Sequence, residues 1–163
     1  MAITKAKKQD IVAKLTDGLK NATSVVFVKF GKLSVADTSA MRKALKADGT
    51  TYYVAKKSLM RRALADLGIT GEMPELTGEV AVAWSSTDAT APARGIWEHA
   101  KKHKDSLSIL GGVFEGIFAD AAKMTTIATI PSVPVLRGMF VNVINSPRQR
   151  FALALGEVAK LKA

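Results

Sequence analysis

The sequence predicts an α/β protein of the α+β sandwich kind: a mixed sheet with flanking helices, followed by a C-terminal helical extension. Three observations carry this. Segments rich in β-branched and aromatic residues alternate four times with segments whose apolar residues recur every three or four positions. Pro131 and Pro134, three residues apart, then break the alternation. Beyond them only helical periodicity remains, which divides the chain into 1–130 and 131–163.

Ile11, Val12, Leu15 and Leu19 fall at helical spacing, so residues 5–19 read as an amphipathic helix. Ser24 to Phe30 is a β-branched and aromatic run and reads as a strand. Ser34 with Asp37 three residues later resembles a capping box that opens a helix to Asp48, stopped by Gly49. Thr51 to Ala55 is the second strand, and the helix after it ends at Gly68. Past a loop with Pro74 and Gly78, Glu79 to Trp84 is the third strand. Pro92 to Lys104 is a helix with proline in its first turn. Ser106 to Glu115 is the fourth strand, with Gly111-Gly112 marking a bulge or bend, and Asp120 caps a short helix ending near Thr129.

The 163 residues suffice for a buried core, and the 48% hydrophobic content fits a folded protein. There is no cysteine, hence no disulfide, thiol nucleophile or thiolate zinc site. The N-terminal lysines are not followed by the apolar run of a secretory signal, and no apolar stretch reaches membrane-spanning length. The expectation is a soluble cytoplasmic protein with no membrane partner.

Charge is distributed unevenly. Residues 1–65 carry 14 Lys/Arg against 4 Asp/Glu (+10), residues 66–130 carry 5 against 9 (−4), and residues 131–163 carry 5 against 1 (+4). A surface charged for solubility mixes both signs, whereas a segregated excess of positive charge points to a polyanion.

Three constellations follow. In Lys56-Lys57-Ser58-Leu59-Met60-Arg61-Arg62, helical geometry puts Lys57, Ser58, Arg61 and Arg62 on one face and Leu59, Met60, Ala63, Leu64 and Leu67 on the other. Lysine at a helix N-terminus has the wrong sign for the macrodipole, a conflict that a bound phosphate reverses. The alternative is an exposed basic face. Lys5, Lys7, Lys8 and Lys14 form the second group, either an extension of this patch or a disordered basic arm; Arg42 and Lys43 extend it from the helix between the first two strands. The third is the tail, where Leu136, Met139, Phe140, Val143 and Ile144 make one apolar stripe. Asn145-Ser146-Pro147 interrupts it, and Phe151, Ala154, Leu155, Val158 and Leu161 make another. Packing back on the body, docking a partner helix and lying on a membrane are the open readings, the last weakened by the lack of Trp in the tail.

Catalytic signals are poor. His99 and His103 stand four apart but lack the glutamate of a zinc-protease motif and sit among Lys101, Lys102 and Lys104. Gly111 to Gly116 lacks dinucleotide-binding spacing, and there is no P-loop or nucleophile elbow. Neither catalytic nor metal-binding residues are assigned, and neither a cofactor nor a small-molecule substrate is expected.

Several segments in order resemble bacterial large-subunit ribosomal protein L10, the uL10 family, over essentially the whole chain. They are Lys5 to Lys8 with Ile11-Val12, Ser24 to Val28 running to Gly31-Lys32-Leu33, and Met41 to Leu45. Tyr53 to Leu64 resembles the family's most diagnostic stretch; Leu76-Thr77-Gly78, Ala91-Pro92-Ala93, Gly112 to Gly116 and Ile130-Pro131-Ser132 complete the series. The resemblance implies a non-catalytic scaffold at the base of the ribosomal stalk. Residues 1–130 would bind 23S rRNA beside protein L11 through Lys5, Lys7, Lys8, Arg42, Lys43, Lys56, Lys57, Ser58, Arg61 and Arg62. Residues 131–163 would anchor dimers of the acidic stalk protein L7/L12, which recruits translational GTPases, through the tail stripes. Repression of its own mRNA is a further family property. Two departures stand out: Lys57 where the family usually has Asn, and Gly78-Glu79 where it often has Gly-Pro. The rivals are a free-standing RNA-binding regulator of translation and a phosphate-handling enzyme.

Overall fold

The computed structural model describes residues 5–65, 67–70, 73–103 and 106–162. Its elements are α1 (Lys5–Lys20), β1 (Ser24–Phe30), α2 (Val35–Ala47), β2 (Thr50–Val54), α3 (Lys57–Ala65), β3 (Glu79–Ser85), α4 (Ala91–Lys102), β4 (Leu107–Phe114), β5 (Ile117–Asp120), α5 (Ala121–Ala128) and α6 (Val133–Lys162). The chain divides into two compact units, 1–130 and 131–163.

In the first unit β1 is the middle strand of a five-stranded sheet of order β2-β3-β1-β4-β5. All four strand pairings are antiparallel. Among the described residues the parallel component is one isolated bridge, Thr70 to Ile117. Val26 and Val28 enter one apolar cluster, with Met41 and Leu45 of α2, Ile96 of α4 and Met124 of α5. Val25 and Phe27 enter the other, with Leu15 and Leu19 of α1 and Met60 and Leu64 of α3. The sheet is therefore sandwiched, with α1 and α3 on one face and α2, α4 and α5 on the other. Burial on both faces explains why β1 reads as an unbroken apolar run rather than an alternation.

Pairing direction decides which element ends meet. Phe30, at the exit of β1, lies opposite Glu79, which opens β3, and Leu107, which opens β4; Val54, which closes β2, lies near the same level opposite Ala81. Helix α1 joins β1 through three residues and packs back on Val25 and Phe27. Its 16 residues span about 24 Å, as do the 7 of β1, so its N-terminus reaches the level of the β1 exit. Helix α3 starts just after β2 and packs beside α1, and its far end brings Leu67 to a cavity shared with Leu19. Both helices therefore begin at the β1-exit end of the sheet.

Ser34 is the N-cap of α2: its Oγ accepts from the Asp37 backbone N–H (3.1 Å) and donates to Asp37 Oδ2 (2.7 Å). Asp120 occupies the N-cap position of α5 but makes no side-chain capping hydrogen bond, so only the position expected of it holds. The expected bulge is present: Phe27 pairs with Gly111 and Val28 with Ile109, leaving Leu110 as the extra residue. Strand β5 was not expected from the sequence. It follows a two-residue turn with positive φ at both Glu115 (52°) and Gly116 (79°), the geometry of a type I′ hairpin.

In the second unit α6 runs without a break through Pro147. At about 100° per residue the two expected stripes then fall within one arc of about 160° and form a single face.

Gly112 of β4 pairs with Val26 of β1, and a Cβ there would press on the Val25 carbonyl oxygen and come within 2.8 Å of Met124 Cε. Gly112→Ala is expected to destabilise the first unit by about 1–3 kcal/mol, read as a fall in the denaturant midpoint at unchanged slope.

Candidate nucleic-acid interface

Helices α1 and α3 start at the same end of the sheet, and neither has an acidic residue in its first turn. Asp or Glu is favoured there, because unpaired backbone N–H groups and the macrodipole attract negative charge, although α4, α5 and α6 have none either. Helix α2 carries Asp37 there. Helix α3 opens with Lys57, and α1 carries Lys7 and Lys8 near its start. The two parallel N-termini thus add their dipoles to a concentration of lysine, an arrangement that attracts anions.

An open cleft of about 1010 Å³ lies at the start of α3. Lys56, Lys57, Ser58 and Arg61 supply its polar lining and Phe30, Val54 and Leu76 its apolar lining. Glu79 is the one carboxylate among the described residues of that lining. Lys56, Ser58, Arg61 and Arg62 are exposed and Lys57 is half-buried, while Met60, Ala63 and Leu64 are buried, so α3 divides as its spacing requires. Among the described residues Arg94–Asp88 (3.5 Å) is the one ion pair, and no basic group of the cleft has a carboxylate partner.

Not all the expected residues come together. Lys7, Lys8 and Lys14 are exposed on α1, beside α3; the side chain of Lys5 lies outside the described residues, as does Lys104. Arg42 and Lys43 are exposed on α2, across the sheet from α3. Arg42 lies over the Tyr52 ring, 5.5 Å from its centroid. Burial raises the Tyr52 phenol above its usual range, and the Arg42 charge partly offsets that. These two residues therefore do not extend the α3 cleft directly. Sequence reasoning missed Phe30, Leu76 and Glu79 of the lining, because three separate chain segments converge there only through strand pairing.

A family description, "Ribosomal protein L10", matches residues 3–101. The large ribosomal subunit protein uL10 of Staphylococcus carnosus (strain TM300) is 39% identical over 160 residues, 98% of this chain and 95% of that protein. The protein of the same name from Shouchella clausii (strain KSM-K16) is 38% identical over 156 residues, 96% and 93% of the two chains. The relatives are components of the large ribosomal subunit, a structural rather than an enzyme family. This chain belongs to the ribosomal protein L10 (uL10) family.

His99 and His103 are both half-buried near the end of α4, and no group of three metal-ligating side chains occurs among the described residues. Burial, then the neighbouring Lys102, lowers the His99 pKa from its usual 6.5, against an opposing pull from Glu98; His103 lowers it further. The folded state thus favours neutral His99, and the stability this confers is lost as pH falls below 6.5. The expected outcome is a Tm that declines on mild acidification in the wild type and declines less in His99→Gln, measured by circular dichroism across that range.

Proposed function

We propose that residues 1–130 bind the 23S rRNA of the large subunit and that residues 131–163 carry dimers of L7/L12, making the chain a stalk-base scaffold that performs no chemistry. The observation that supports the RNA role most directly is the pair of lysine-bearing helix N-termini beside a cleft whose basic groups have no carboxylate partners among the described residues. Lys56, Lys57, Ser58, Arg61 and Arg62, with Lys7 and Lys8, contact phosphates in this reading. Such contacts position the protein, while RNA shape supplies much of the selectivity. Family membership supports a ribosomal setting, with L11 as neighbour at the stalk base and the cytoplasm as location.

The tail role rests on α6, where Leu136, Met139, Phe140, Val143, Ile144, Phe151, Leu155, Val158 and Leu161 are each at least 49% exposed. Among the described residues no single helix is long and apolar enough to cross a membrane. An apolar helical face of this length suits helix-to-helix docking, with roughly 1.5–3 kcal/mol for each large side chain that becomes fully buried. Its net charge of +4 complements an acidic partner. Docked L7/L12 recruits translation factors in this reading.

Lys57→Glu with Arg61→Glu is expected to weaken binding of 23S rRNA and to flatten the log–log salt dependence by about 0.7–0.9 for every phosphate no longer neutralised. Unchanged affinity in a filter-binding titration would remove the α3 cleft from the site. Phe140→Asp with Leu155→Asp should reduce or abolish the complex with L7/L12 in native mass spectrometry while rRNA binding is retained. An undiminished complex would count against α6 as the anchor and favour a free RNA-binding regulator.

A further inference from the structure

Residues 66–130 carry a net charge of −4, and this average hides a second group of cations. Lys101 and Lys102 close α4 and are exposed. Helix α4 lies on the opposite face of the sheet from α3, yet its C-terminus comes to the same end. The connection is short: the Gly31 N–H donates to the Ser106 carbonyl (2.9 Å), and the Ser106 and Leu107 N–H groups donate to the His103 carbonyl (3.0 Å each). On one side of Gly31, Phe30 lines the α3 cleft; on the other, Lys32 is exposed. The Lys29 side chain crosses Gly78, another residue of that cleft: a Cβ on Gly78 would stand 2.9 Å from Lys29 Cε. The exit of β1, Lys29 to Lys32, is thus a seam joining the cleft on one face to the end of α4 on the other.

Lys32 adds an independent observation. It holds a φ of 54°, in the left-handed region that side-chain-bearing residues rarely adopt. An exposed lysine kept in a strained conformation at the seam matches the pattern in which strain is retained where a group is needed.

We infer that the RNA-binding surface extends from the α3 cleft across the β1-exit end of the sheet to the C-terminus of α4, with Lys29, Lys32, Lys101 and Lys102 contacting phosphates alongside the cleft. The inference rests on the proposed rRNA reading and extends it to residues that charge counts along the chain conceal. A simpler role exists for Lys101 and Lys102, since cations favour a helix C-terminus. The opposite end of the sheet provides the matched control: Lys20 and Lys46 are also exposed last-turn lysines, of α1 and α2.

The test uses the full chain and 23S rRNA, titrated over a series of salt concentrations. Lys101→Gln/Lys102→Gln is expected to flatten the salt dependence by about 0.7–0.9 for each phosphate that these lysines neutralise, whereas Lys20→Gln/Lys46→Gln, with the same charge change, leaves it unaltered. Equal slopes for these two variants, with Lys57→Glu/Arg61→Glu still impaired, would overturn the inference and confine the surface to the α3 side. Full binding by every variant would instead overturn the rRNA reading itself. Lys32→Gly gives a readout of opposite signs: relief of strain raises Tm while removal of the cation weakens rRNA binding. A raised Tm with unchanged binding would exclude Lys32 from the surface.

Discussion

Strand β1 is hydrogen-bonded along both edges and covered on both faces, and the placement of the basic end depends on it. Val26, Phe27 and Val28 are completely inaccessible to solvent, and their side chains alternate between the two cores. Because both neighbours run antiparallel to it, one end of β1 gathers the exits of β1 and β2 and the entries of β3 and β4. Helices that pack back along the sheet then have no choice of which terminus they bring to that end. A single two-sided core therefore sets the direction of α1, α3 and α4 together.

The electrostatics at that end run against the stability of the free protein. Each first-turn lysine on α3 or α1 costs about 0.3–1 kcal/mol against the helix dipole, a meaningful fraction of a domain's marginal stability. Helix α2, in the same fold, follows the ordinary rule with Ser34 and Asp37, so the means of satisfying a helix start are present in this chain. Helices α4, α5 and α6 also lack a first-turn carboxylate, so what sets α1 and α3 apart is the number of lysines gathered where the two starts lie side by side at the cleft. Lysines crowded at two adjacent helix starts, against the dipole, are the expected mark of a surface shaped by a partner rather than by folding.

Helix α6 poses the complementary problem. Its apolar face is continuous because Pro147, which lacks a backbone N–H, is accommodated without ending the helix. An isolated helix gains little from propensity alone, and an apolar face acquires most of its stabilisation from whatever covers it. Exposure of Phe140, Val143 and Phe151 at 67%, 71% and 66% leaves that gain available to a binding partner.

Much of this molecule could be read from residue order alone, because periodicity and turn chemistry are local. Ser24–Phe30, the Ser34 cap and the face of α3 that buries Met60 and Leu64 all followed from spacing. So did the crowding of lysine at the start of α3. Strand β5 did not, since Glu115-Gly116 is an unusual pair for a type I′ turn and the four residues after it bury only Ala119. Which cations share a surface was also beyond the sequence. Arg42, 14 positions before Lys56, ends up across the sheet from α3, while Lys101 comes to the end where α3 begins. Pattern along a chain fixes the face a residue takes within its own element; only the pairing of strands, a long-range choice made by the shared core, decides which element ends meet.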